Sequence, residues 1–111
     1  MSKPYKVIWT PVAQKDLEAT ITYLSKDSPK TALKILQTIR SKAATLYHFP
    51  KRGRRVPELG HVPELSFREI IISPWRLIYR IKQTQVEILA FFDGRRDLSE
   101  ILFERLSRLH Y

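Results

Sequence analysis

Cysteine is missing from all 111 residues. Its absence removes disulfides, a thiol nucleophile and any cysteine-based zinc site. Glycine is scarce, at three residues, and no glycine-rich, phosphate-cradling loop can be drawn from it; Gly94, ahead of two arginines, reads as a turn residue. The three histidines (His48, His61 and His110) are far apart and lack partners at ligand spacing, so no metal constellation emerges. There is no Gly-x-Ser-x-Gly elbow, which leaves acyl transfer and proteolysis unsupported. No apolar run approaches the roughly 20 residues of a membrane span. The opening segment, Met1 to Pro11, carries no apolar core of a signal peptide. Together these absences lead us to expect a cytoplasmic protein without cofactor, metal or membrane partner.

Negative charge is also in short supply. Eleven acidic residues face 20 lysines and arginines, for a formal net charge of +9. An excess of this size favours a polyanionic partner such as nucleic acid, a ribosome or an acidic protein. The cations are unevenly spread: Lys51, Arg52, Arg54 and Arg55 crowd one stretch, and Arg95 and Arg96 adjoin. The apolar fraction, 43%, suffices for a core, and the length suits one domain spanning residues 1–111.

Periodicity supplies the elements. Tyr5 to Trp9 is aromatic and β-branched, and reads as a strand. Thr10-Pro11 and Ser28-Pro29 each pair an N-cap with a proline at the first helical position. Behind the first lie Ala13, Leu17, Ile21 and Leu24 at helical spacing; behind the second lie Ala32, Ile35, Leu36, Ile39, Ala43 and Leu46. These two stripes predict a helical hairpin closed near His48, which we expect to cap its end. From Lys51 to Pro63 the chain reads as a loop, with Val56-Pro57-Glu58-Leu59 repeated as Val62-Pro63-Glu64-Leu65 in an extended prolyl segment. Three apolar runs between Ser66 and Phe92 then predict a strand meander, and Ile101, Leu102, Leu106 and Leu109 predict a C-terminal helix, loosely docked. The expected fold is α+β, in the order β-α-α-β-β-β-α: a two-layer domain with a helical hairpin on a small, mainly antiparallel sheet. Its second face should be exposed and carry arginines.

The meander holds Arg68, Arg76, Arg80, Arg95 and Arg96 at strand starts and ends. Metal-free cleavage of RNA needs cations for the charge developing on phosphorus, together with a base and an acid. Arg68, Arg76, Arg95 and Arg96 are candidate cations, with Glu69 and Tyr79 as conceivable proton-transfer groups unless alternation turns them inward. The competing reading is a set of arginines snorkelling at strand ends.

Several motifs occur in order: Trp9-Thr10-Pro11-x-Ala13-x-x-Asp16-Leu17, Pro50-x-x-Gly53-Arg54, Val56-Pro57-Glu58-Leu59, Phe67-Arg68-Glu69-Ile70, Pro74-Trp75-Arg76-Leu77-Ile78-Tyr79 and Gly94-Arg95-Arg96-Asp97-Leu98. Together they resemble the RelE/ParE superfamily of bacterial toxins, over about Tyr5 to Leu98. The resemblance implies the toxin of a type II toxin–antitoxin (plasmid stabilisation) system, held by a cognate acidic, ParD-like antitoxin. It also implies one of two actions: ParE-type inhibition of DNA gyrase, or RelE-type cutting of mRNA on the ribosome. For the ribonuclease branch, Arg68, Arg76 and Arg96 match basic positions. The second alternating basic position is Ile70, however, and the final-helix tyrosine position is Leu102, with Phe103 beside it. His110-Tyr111 resembles the end of a further ribonuclease branch but follows a helix instead of a strand. The Phe-Arg-Glu-Ile and Gly-Arg-Arg-Asp-Leu motifs are more similar to ParE. The expected function is therefore growth arrest through gyrase, with the ribosome-dependent endoribonuclease as the alternative. Arg54, Arg68, Trp75, Arg76, Arg95 and Arg96 are the expected target- or antitoxin-binding residues.

Overall fold

A computed structural model describes residues 3–59 and 66–109, with side chains as far as Arg105. The elements run β1 (Lys6–Trp9), α1 (Pro11–Ser25), α2 (Pro29–Ala44), β2 (Arg54–Arg55), β3 (Phe67–Ile72), β4 (Trp75–Lys82), β5 (Gln85–Asp93) and α3 (Leu98–Leu109). Short 3₁₀ turns occupy Thr45–Tyr47 and Pro57–Leu59. The five strands form one sheet in the order β1-β5-β4-β3-β2. Only β1 and β5 run parallel, as the intervening helices require. This is the α+β fold that the periodicity predicts, with one strand more. Arg54–Arg55, expected within a loop, pairs antiparallel with Arg68 and Glu69. A two-residue edge strand has too little alternation to be seen in a sequence.

The helix starts follow from local chemistry. The Thr10 hydroxyl accepts from the Ala13 amide and donates to the Ile88 carbonyl, so one side chain caps α1 and ties it to β5. Ser28 caps α2 through the Thr31 amide. Asp97 accepts from the Ser99 amide at the start of α3. The α2 end differs from expectation. Its last carbonyls are taken up by a 3₁₀ turn through Tyr47, and the His48 amide bonds to the Thr45 carbonyl without a side-chain cap.

The hairpin packs on one sheet face, where Ala13, Leu17, Ile39, Ala43 and Leu46 meet Ile70, Ile72, Leu77, Tyr79, Val86, Ile88 and Phe91. The other face departs from the sequence reading. It is buried, because Val56, Phe67, Ile78, Leu89, Ala90 and Phe92 form a second core with Leu98, Ile101 and Leu102 of α3. A register shift beside Ile78 and Tyr79 skips Leu89 and turns both Leu89 and Ala90 to this face. Burying such side chains contributes roughly 1.5–3 kcal/mol each. The docked part of α3 is accordingly firm, not loose.

The first Val-Pro-Glu-Leu copy forms a 3₁₀ turn instead of an extended segment. Its second copy, with His61, and the terminal His110-Tyr111 lie outside the described residues, as do the side chains of Leu106 and Leu109.

Candidate functional site

The six residues singled out in the sequence fall into three places. Arg54 and Arg76 belong to an ionic cluster on the α3 side of the sheet, centred on Glu69, whose side chain is inaccessible to solvent. The Arg76 Nε donates to Glu69 Oε1 at 2.6 Å, and its two terminal nitrogens donate to the Glu58 carboxylate at 2.8 and 2.9 Å. Arg54 Nε donates to the other Glu69 oxygen at 2.6 Å. Glu58, held by the Arg76 hydrogen bonds, has its carboxyl pulled below the usual range. The same bonds push the Arg76 guanidinium above its ordinary value against the opposing effect of burial. Arg76 also lies 5.9 Å from the Phe92 ring centre. With both carboxylates engaged, it is a structural cation.

Arg68 is on the opposite face, beneath the chain that leaves α2. Its Nη1 donates to the carbonyls of Gly53 at 2.7 Å and Lys51 at 3.3 Å. Next to it the Tyr79 hydroxyl donates to the Pro50 carbonyl at 2.7 Å and accepts from the Gly53 amide at 2.9 Å. Burial pushes the Tyr79 phenol up, away from any role as a base near neutrality. A Cβ on Gly53 would sit 2.6 Å from the Tyr79 hydroxyl and from the Glu69 carbonyl, so only glycine fits there.

Trp75 and Arg96 come together in the third place, a groove of about 690 Å³ between α1 and the far ends of β4 and β5. Asp16, Thr20 and Tyr23 of α1 form its opposite wall. Tyr23 is exposed, and Trp75 stacks on Phe91 with ring centres 5.9 Å apart. Arg96 has no side-chain hydrogen bond or ion pair among the described residues. Arg95 beside it is clamped by Asp93, at 2.7 and 2.9 Å, and holds that carboxyl down to about 2.

Asp16, part of the Trp-Thr-Pro motif, joins this place although it is not among the residues expected from the sequence. Because β1 ends at Trp9, β5 lacks a strand partner beyond Ile88 on that edge. The Asp16 carboxylate takes the place of one: it accepts from the Phe91 amide at 3.1 Å and from Arg105 of α3 at 2.7 Å. Burial pushes its carboxyl up, and the Phe91 amide and Arg105 pull it back. A lone aspartate on an apolar helix face was the available signal.

The two ribonuclease positions occupied by apolar residues are core positions. Ile70 is 6% exposed beneath the hairpin, and Leu102, on the sheet-facing side of α3, is 2% exposed. Glu69, one conceivable proton carrier, is held by two arginines.

A family model described as the ParE toxin of type II toxin–antitoxin systems matches residues 7–98. The chain belongs to the ParE toxin family. Among solved structures, this ParE-family chain is similar to one of a chromosomal ParDE system from P. aeruginosa, with 26% identity and a TM-score of 0.66. That match covers 83% of this chain and 98% of the other. It is also similar to one from the RelBE2 toxin–antitoxin complex of Mycobacterium tuberculosis: 27% identity, TM-score 0.56, and coverage of 81% and 98%. An E. coli RelE mutant in the free state shares the fold at 16% identity and TM-score 0.59, over 95% and 97% of the two chains. No curated protein sequence matches significantly. Among the described residues no helix is long and apolar enough to cross a membrane, and no cluster of side chains could hold a metal ion.

Proposed function

We propose that this ParE-family toxin acts as a single cytoplasmic domain that arrests growth by inhibiting DNA gyrase, and that a cognate acidic antitoxin neutralises it. The observation carrying this reading is the commitment of the candidate catalytic cations. Arg76 is held by two carboxylates and Arg68 by backbone carbonyls. Cleavage of a phosphodiester by 2′-hydroxyl attack needs cations free to follow the developing charge, with an acid and a base beside them. Of the candidate cations Arg96 alone lacks a partner among the described residues, and the carboxylate across its groove, Asp16, is engaged by Arg105 and the Phe91 amide. The groove of Trp75, Tyr23 and Arg96 suits recognition better than chemistry: it offers aromatic rings and one anchoring cation, and its carboxylates Asp16 and Asp93 are already engaged.

The antitoxin carries over from the relatives, one belonging to a ParDE system and another to a RelBE2 complex. The net charge of +9 favours an acidic partner and fast association with it. Of Arg54, Arg68, Trp75, Arg76, Arg95 and Arg96, Trp75 and Arg96 are the pair proposed to meet a partner directly, while the carboxylates on Arg76 give it a supporting role.

Purified toxin added to a gyrase supercoiling assay tests the reading. Loss of supercoiling or accumulation of cleaved DNA is expected. No effect at excess toxin, with ribosome-dependent mRNA cuts seen by primer extension, would overturn it in favour of the endoribonuclease.

A further inference from the structure

A second feature lies at the other end of the hairpin, away from the Arg96 groove. Where α2 ends, Tyr47, His48 and Phe49 follow one another and stay at the surface. The Tyr47 and His48 rings meet edge-on at 4.7 Å, and those of His48 and Phe49 lie 6.3 Å apart. Phe49 is 65% exposed, a large apolar ring left in water. It borders an open cleft of about 580 Å³ lined also by Tyr5, Thr45, Pro50, Lys51 and Arg52. That volume lies within the range of small-molecule sites.

The surrounding charge is of one sign. Lys51, Arg52 and Arg55 are exposed, and none has an acidic partner among the described residues; the Arg52 guanidinium donates to the Thr45 hydroxyl at 2.7 Å. In the sheet register Arg55 lies opposite another cation, Arg68.

The platform is fixed from beneath. Tyr79 and Arg68 take up the carbonyls of Pro50, Lys51 and Gly53, so the backbone is held while the cationic side chains remain outside. A rigid loop presenting rings and arginines loses little entropy on binding.

The geometry points to a binding site for single-stranded nucleic acid on this loop, with an unstacked base against Phe49 and backbone phosphates on Lys51, Arg52 and Arg55. Exposed rings beside cations without acidic partners are the elements single strands require, since every base has a face to stack and every nucleotide a phosphate. A duplex hides its base faces and would use only the cations. An acidic peptide would likewise use the cations but offers no series of flat rings. The inference goes beyond gyrase inhibition and stands on different residues.

Fluorescence anisotropy with labelled oligothymidylate and oligouridylate of about 12 nucleotides, against a duplex of equal length and a polyglutamate peptide, provides the test. Either single strand should bind more tightly than the duplex, and the better of the two identifies DNA or RNA as the source. Three phosphate contacts predict a slope of about −2 in log affinity against log salt. Phe49→Ala, which removes an exposed ring without opening the core, should weaken single-strand binding about 5- to 150-fold. Lys51→Ala with Arg55→Ala should cost more than the charge-matched pair Lys30→Ala with Lys34→Ala on α2. Equal binding of duplex and single strand, indifference to Phe49→Ala, equal losses in the two double variants, or polyglutamate binding with the same Phe49 dependence would each overturn the proposal.

Discussion

Arg76 and Arg96 are the same residue type, 20 positions apart, on either side of one strand turn, yet they do opposite work. Arg76 is 9% exposed and makes three hydrogen bonds to two carboxylates. Arg96 stands at the surface of an aromatic groove without a partner among the described residues. The difference comes from what faces them. Glu69 points to the α3 side of the sheet, where a charge is tolerated only when paired. Arg96 leaves the sheet after Asp93, where water replaces any need for a counter-ion. A row of arginines in a sequence is thus two populations in space, one that holds the turn at Pro57–Leu59 to the sheet and one that is available to a partner.

The sharpest way to break this contrast is to remove each arginine in turn. Arg76→Ala strips one Glu69 oxygen of its partner while Arg54 still holds the other, and should cost about 2–3 kcal/mol, below the range for a fully orphaned buried charge. Urea denaturation would read it as a lower midpoint; a change under 1 kcal/mol would put Arg76 with the free population.

Tyr79→Phe probes the platform on the opposite face. It strips partners from the Gly53 amide and the Pro50 carbonyl and should cost about 1–3 kcal/mol. Hydrogen exchange at Gly53 should accelerate with it.

Arg96→Ala should change stability by less than about 0.5 kcal/mol, while toxin activity in the supercoiling or growth assay falls at least tenfold. Equal losses of folding and activity would make Arg96 structural.

The smallest effect concerns pH. Glu58 and Asp93 have carboxyls held below their ordinary values, Glu58 by Arg76 and Asp93, to about 2, by Arg95. Groups depressed by folding stabilise the protein above their unfolded values, near 4, and lose that contribution as pH falls through the folded ones. Asp16, raised by burial, has the opposite sign: its protonated form favours folding at low pH. The stability gap between wild type and Glu58→Gln should therefore be present at pH 7 and close as pH drops below about 4.5. A gap independent of pH would mean that the Glu58 charge is not engaged.

Much of the scaffold was legible because its signals are local. Thr10-Pro11 and Ser28-Pro29 carry their own capping geometry, and the stripes of α1 and α2 repeat at the helical period whatever they pack against. The meander announced itself through short apolar runs between turns. The edge strand at Arg54–Arg55 did not, because pairing with β3 is a long-range event involving two residues without alternation. The burial of the second sheet face was equally hidden. Leu98, Ile101 and Leu102 gave α3 an apolar side, but nothing local states which surface that side will cover.

The candidate site shows the same division. Residue types and spacing were enough to place the chain near the ParE and RelE toxins and to mark Trp75 and Arg96. They could not separate Arg96 from Arg76, because that depends on Glu58 and Glu69 arriving from 18 and seven residues away. Nor could they show that Asp16 completes the edge of β5, 75 residues on. The sequence by itself determined the order of elements apart from the β2 edge strand, the family and the excess of positive charge, all properties of short segments or of sums. Only the tertiary structure decided which charges are neutralised and which are left facing solvent, because pairing depends on distances that folding alone brings below 3 Å.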